Sequence, residues 1–233
     1  GTVRTVLIDE NSEKDGVCQT IYVGAIDVGV YVTHDAGETW ELMKDSPEKP
    51  KRMALADDGR ILYVSADGGV YKYTAGGSWE NITPGQPTQY TGMAVDPTDD
   101  NTIYCVRVTD PDSGSVYRGH VFQSKDSEKT WTDKYETSDI HFTTDWYPDQ
   151  NFAAATACLA VNPFKPEQVW LTDWYGVWKT NDINQEPRQF WINDIRGIEE
   201  MVAFTAICPS KGARLLTGNA DNDGARWADS ILE

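Results

Sequence analysis

Short runs of apolar or alternating apolar and polar residues, each closed by Gly, Asp, Asn, Pro or Ser, recur along the chain and predict β-strands separated by tight turns. Gln19-Thr20-Ile21 leads through Tyr22-Val23-Gly24-Ala25 to Gly29-Val30-Tyr31-Val32 and on to Thr33-His34-Asp35-Ala36-Gly37-Glu38-Thr39-Trp40. The same order returns as Ile61-Leu62-Tyr63-Val64-Ser65, Gly69-Val70-Tyr71-Lys72-Tyr73 and Gly77-Ser78-Trp79. A third unit runs Thr102-Ile103-Tyr104-Cys105-Val106, His120-Val121-Phe122-Gln123 and Ser124-Lys125-Asp126-Ser127-Glu128-Lys129-Thr130-Trp131. The fourth gives Gln168-Val169-Trp170-Leu171-Thr172, Gly176-Val177-Trp178-Lys179-Thr180 and Gln189-Phe190-Trp191. The closing tryptophans stand 39, 52 and 60 residues apart, so loops lengthen while the strand signals persist.

Each unit also opens on an earlier apolar segment: Val6-Leu7-Ile8, Met53-Ala54-Leu55-Ala56, Met93-Ala94-Val95 and Leu159-Ala160-Val161. Four strands per unit, in units of about 40 to 60 residues, predict an all-β fold of four-stranded antiparallel blades, a β-propeller. A β-sandwich accounts for the strands but not for their recurring order. A fifth unit starts at Met201-Val202-Ala203-Phe204-Thr205-Ala206-Ile207 and continues through Leu215-Leu216-Thr217-Gly218. About four and a half blades do not close a ring, so the expectation is a piece of a larger propeller protein, or a ring completed by another chain.

Composition supports a turn-rich protein and narrows its partners. Of the 37 acids, 24 are Asp, which caps turns through its own backbone, and 19 Gly and 11 Pro accompany them. The net charge of −17 argues against nucleic acid or an anionic membrane surface as partner, and no apolar run reaches the roughly 20 residues of a bilayer span. The four cysteines form no C-x-x-C and no Cys/His pattern of zinc spacing, so no metal or other cofactor is expected. Cys105, Cys158 and Cys208 lie in apolar runs and are read as buried free thiols; a disulfide is the lesser reading.

Thr33-x-Asp35-x-Gly37-x-Thr39-Trp40 matches the Asp-box, or BNR, repeat, and Ser124-x-Asp126-x-x-x-Thr130-Trp131 is a copy without its glycine. The Asp carboxylate is expected to accept backbone N–H bonds across the turn from third to fourth strand, with Gly at positive φ and Trp covering the hairpin end. Asp35 and Asp126 are thus structural rather than catalytic. His34, at a variable box position, is a solvated imidazole on this reading.

Further motifs point more narrowly. Gly197-Ile198-Glu199-Glu200-Met201-Val202, followed by Pro209-Ser210-Lys211-Gly212-Ala213-Arg214-Leu215-Leu216-Thr217, is similar to the G-[IL]-E-E-T-A-V and S-P-P-S-G-A-P-L-L-S segments of family 74 glycoside hydrolases. That family includes endo-xyloglucanases and related β-glucan hydrolases. Ala160-Val161-Asn162-Pro163-Phe164 and Trp79-Glu80-Asn81-Ile82-Thr83-Pro84 resemble its A-I-D-P-F and W-T-D-I-T-P, so the likeness runs from about Thr20 to Trp227. The resemblance implies two seven-bladed propellers flanking a cleft. Residues 1–196 would be later blades of the first, and residues 197–233 the start of a further blade or of the second. It also implies a secreted protein and a polysaccharide or oligosaccharide partner, with the remaining blades supplied elsewhere.

The family's general acid lies in a motif like G-D-x-G-G-F-x-H. Here Gly218-Asn219-Ala220-Asp221-Asn222-Asp223-Gly224-Ala225-Arg226-Trp227 occupies that place, with Asp221 on the acid and Asp223 its rival by a two-residue slip. Ala220, Asp223 and Trp227 depart from the motif. The family's base stands in T-D-x-G-G-A-Y-R on the first blade; Ile26-Asp27-Val28-Gly29-Val30-Tyr31 has a similar look, although its place in the repeat matches a later blade, and nominates Asp27. Inverting hydrolysis, which the resemblance implies, places an acid and a base about 6.5–9.5 Å apart with water between. Sugar rings stack on flat side chains, which nominates Trp146 and Tyr147 in the long insertion Asp139–Gln150, then Trp174 and Tyr175, with Trp227 beside Asp221; Trp40, Trp79 and Trp131 read as blade packing.

Two other functions compete. A non-catalytic carbohydrate-binding or interaction propeller would explain the altered acid motif. A sialidase would share the Asp-boxes but needs an arginine cluster gripping a carboxylate, and no three Arg fall on equivalent strands.

Overall fold

A computed structural model of the chain describes residues 1–108, 119–135, 138–141, 152–193, 195, 203–213, 215–219 and 224–227. These residues form successive antiparallel sheets with two single 3-10 turns, Glu10–Ser12 and Asp57–Gly59, between strands. The first blade comprises Val3–Ile8, Ile21–Ala25, Gly29–Thr33 and Glu41–Leu42, and the second Pro50–Ala56, Ile61–Ala66, Gly69–Thr74 and Trp79–Asn81. The third comprises Tyr90–Asp96, Asp99–Arg107, His120–Ser124 and Thr132–Asp133, and the fourth Cys158–Val161, Val169–Thr172, Val177–Thr180 and Gln189–Asn193. In every blade each strand pairs with the next in sequence. A last sheet holds Ala203–Ile207, Leu215–Asn219 and Gly224–Trp227. The first strands of blades one to four lie side by side, so they are the inner strands of a partial propeller.

Each junction between blades has its own core, as expected when one sheet face must be buried against the next. Tyr22, Val30 and Val32 meet Met53, Leu62 and Val64 between blades one and two. Tyr63 and Val70 meet Tyr90, Met93, Ile103 and Phe122 between two and three. Tyr104, Val106 and Val121 meet Leu159, Leu171 and Trp178 between three and four. Each such side chain, fully buried, contributes about 1.5–3 kcal/mol, which outweighs the weak pairing of two-residue outer strands.

The third strands of blades one and two open on Gly29 and Gly69 for a shared reason. Ser46 Oγ and Thr83 Oγ1 come back from beyond the outer strands to accept the amides of Val30 and Val70, each at 2.9 Å, and a Cβ on either glycine would collide with that hydroxyl.

Three departures from the sequence reading stand out. Ser138–His141 pairs in parallel with Gln189–Asn193, so the start of the long insertion is a strand along the outer edge of blade four. Just ahead of that blade, Phe152 is buried edge-on to Trp178 at 5.0 Å and stacked with Tyr135 at 5.8 Å, plugging the junction of blades three and four. All four cysteines are free thiols, but only Cys105 is buried: Cys158 is half-buried and Cys208 is exposed. An apolar run buries a residue only where a second sheet covers its face, and Phe204 to Cys208 are all exposed. Among the described residues no helix is long and apolar enough to cross a membrane.

Candidate functional site

Because strands alternate in direction, the turns from second to third strand all fall at one end of the blades, together with the connections entering each next blade. Bonds between the two kinds of segment define a common face. Asp67 N–H donates to Lys49 O at 3.2 Å and Gly68 N–H to Thr88 O at 2.8 Å. In blade four, Trp174 N–H donates to Ala154 O at 2.9 Å. The Asp-boxes occupy the opposite end.

An aspartate stands in the second-to-third turn of blades one, two and four, and the three are engaged differently. Asp173 accepts from the amides of Tyr175 and Gly176 at 2.9 and 3.0 Å and from Trp178 Nε1 at 2.7 Å, so its carboxylate holds the turn and anchors a core indole. Asp67 accepts from Gln89 Nε2 at 2.9 Å and pairs with Lys51 at 3.1 Å, linking blades two and three. Asp27, in the left-handed region at φ 60°, meets Lys49 at 3.9 Å with 73% of its side chain exposed. Of these acids it is the one left open to solvent and to a ligand.

The nominated aromatics on this face divide in the same way. Trp174 is 72% exposed, a flat surface standing clear of the blade, whereas Tyr175 is half-buried against the core of blade four. Asp221 and Asp223 lie outside the described residues. Trp227 ends its strand opposite Leu215, three residues from Gly224 and so about 10 Å along the strand. Trp146 and Tyr147 lie outside the described residues.

One polar pair at this end escaped the sequence reading. His120, first residue of the third strand of blade three, joins Nδ1 to Asp133 Oδ2 at 2.6 Å, with its ring 4.8 Å from that of Tyr135. Residues 13 apart give no linear signal; the pair forms because the third and fourth strands are neighbours. Among the described residues no group of three His, Cys, Asp or Glu side chains could hold a metal ion.

The partial propeller as a whole has counterparts among known proteins. A crystal structure of a family 74 glycoside hydrolase from Niastella koreensis superposes with a TM-score of 0.82 at 28% identity, over 97% of this chain and 36% of that one. The chain is similar to family 74 glycoside hydrolases. A Paenibacillus xyloglucanase is 27% identical over 283 residues, covering 96% of this chain and 26% of its own length. A probable oligoxyloglucan-reducing end-specific xyloglucanase from Neosartorya fischeri is 26% identical over 294 residues, covering 90% of this chain and 36% of its own. The chain therefore spans roughly a quarter to a third of these curated relatives. No family model matches it. The expected resemblance and the propeller architecture both hold over most of the chain.

Proposed function

We propose that this chain is part of a secreted glycoside hydrolase acting on xyloglucan or a closely related β-glucan. The observation that carries this reading is the likeness, over nearly the whole chain, to a family 74 enzyme structure and to proteins named xyloglucanases. The face of second-to-third turns is where substrate lies: Trp174 offers an exposed ring to the apolar side of a pyranose, and Asp27 an exposed carboxylate. Asp221 is the general acid, protonating the leaving oxygen, and Asp223 is the alternative donor. The base is Asp27 or a carboxylate in blades outside this chain. The two groups act across a water in an inverting displacement. Residues 1–196 are blades of one propeller and residues 197–233 open a further blade or a second propeller, with the remaining blades completing the cleft.

Reducing-sugar release from xyloglucan by the full-length protein tests this directly. Asp221→Asn is expected to lower kcat by about 10²–10⁴-fold, the usual contribution of an acid–base group. Equal activity in variant and parent removes Asp221 from the mechanism. A parent protein that binds xyloglucan without cleaving it supports instead the non-catalytic reading raised by Ala220 and Asp223 in the acid motif.

A further inference from the structure

Away from that face, a groove of about 810 Å³ opens between the outer parts of blades one and two, running toward the Asp-box end. One wall is the outer strand of blade one with the residues after it, including Glu41 and Asp45; the other is the third and fourth strands of blade two, including Tyr73, Trp79 and Asn81. Tyr22 lies at its floor. The rings of Tyr73 and Trp79 sit 5.3 Å apart at 41°, giving two adjoining aromatic surfaces. The volume falls within the roughly 300–1,000 Å³ typical of small-molecule sites.

Several polar groups in this groove are unspent, although Asn81 accepts from Thr83 N–H and His34 meets Thr20. Among the described residues the hydroxyls of Tyr22 and Tyr73 and the carboxylates of Glu41 and Asp45 take part in no hydrogen bond or ion pair, and Trp79 Nε1 is buried without an acceptor. A buried polar group left unpaired costs about 1–3 kcal/mol, so an occupant with only apolar contacts would be penalised. Glu41 and Asp45 outnumber Lys44 in the lining, and with the chain's net charge of −17 they disfavour an anion. A sugar satisfies both demands: its hydroxyls donate to carboxylates and bond to tyrosine hydroxyls, while its C–H faces lie on aromatic rings.

We propose that the groove between blades one and two is a binding site for a neutral oligosaccharide chain, separate from the face that carries Asp27 and Trp174. It would hold a polysaccharide to the outside of the propeller without chemistry at the bound sugar. The 233-residue chain is run by affinity electrophoresis in native gels containing xyloglucan, mixed-linkage β-glucan or dextran, with alginate as the anionic probe. A Trp174→Ala background keeps the opposite face from contributing. At least one neutral glycan is expected to retard the protein and alginate is not. Tyr73→Ala is expected to weaken the dissociation constant about tenfold, the equivalent of one lost aromatic stack. Tyr22→Phe, which deletes one oxygen and leaves the packing intact, is expected to weaken it about threefold to fivefold. Retardation unchanged in both variants, or no retardation of the parent by any neutral glycan, overturns the proposal. Groove binding is expected to survive Asp221→Asn, so a failed hydrolysis assay and a failed groove assay remain separate results.

Discussion

The Asp-box turns of blades one and three are built on the same hydrogen-bond plan, yet one closes a single blade while the other also clamps two together. In the first, Thr39 N–H and Oγ1 donate to Asp35 at 2.9 and 2.5 Å, and Gly37 N–H donates to Thr33 Oγ1 at 3.0 Å. In the other, Thr130 N–H and Oγ1 donate to Asp126 at 2.8 and 2.6 Å, and Glu128 N–H to Ser124 Oγ at 3.1 Å. Both turns pass through two consecutive left-handed residues: Ala36 and Gly37 at φ 58° and 97°, Ser127 and Glu128 at 55° and 66°. Glu128 thus stands where the box calls for glycine. Its side chain reaches into blade two, pairing with Lys72 at 2.9 Å and accepting from the Tyr63 hydroxyl, and its side chain is only 6% exposed. A motif position that looks degraded is a tie between blades, and the backbone strain at Glu128 is offset by that tie.

The largest effect is expected from cutting it. Glu128→Gly relieves left-handed strain of about 1 kcal/mol but leaves Lys72 without its partner in a mostly buried setting, for a net loss of about 2–3 kcal/mol in urea denaturation. Adding Lys72→Met should recover most of that loss; a stabilised single variant would show that the turn, and not the clamp, governs. A smaller effect is expected from the converse change. A Cβ at Gly37 would meet only the Trp40 ring, at an ordinary 3.7 Å, but φ is 97°, so Gly37→Glu should cost about 1–3 kcal/mol, read in the same denaturation series.

Acid titration carries the smallest effect. Bonds from Thr33 and Thr39 pull the Asp35 carboxyl down to about 2, and bonds from Thr130 lower that of Asp126. A carboxyl depressed in the folded state contributes stability that is present above its unfolded value near 3.8 and is lost as the pH falls toward 2. Melting curves taken across that window should show this acid limb, and it should flatten in Asp35→Asn combined with Asp126→Asn. An unchanged limb would locate acid sensitivity elsewhere, for instance at Asp99, which Thr102 and Asn101 also hold below the ordinary value.

Most of the blade plan could be read in advance because strands are local events. Runs such as Ile61-Leu62-Tyr63-Val64-Ser65 and Gly69-Val70-Tyr71 carry their own periodicity and turn residues, and they form the strands expected of them. The parallel strand Ser138–His141 was illegible because its four residues gain a partner only once blade four presents its outer edge. Of the nominated site, Asp27 and Trp174 reach one face for a legible reason, their shared place in the repeat. What separates them from Asp173 and Tyr175 was not legible, since it depends on which side chains the folded turn turns inward.

The order of strand and turn signals determined a propeller of repeated blades and the two Asp-box turns, and the motifs within residues 197–217 carried a resemblance to family 74 glycoside hydrolases, because each rests on short-range pattern. Only the tertiary structure decided that Glu128 joins two blades, that Phe152 plugs a junction and that Cys208 is exposed. It also decided that Tyr22, Glu41, Tyr73 and Trp79 share one groove. These outcomes depend on which sheet face packs against which, a relation between residues tens of positions apart that no local run of sequence encodes.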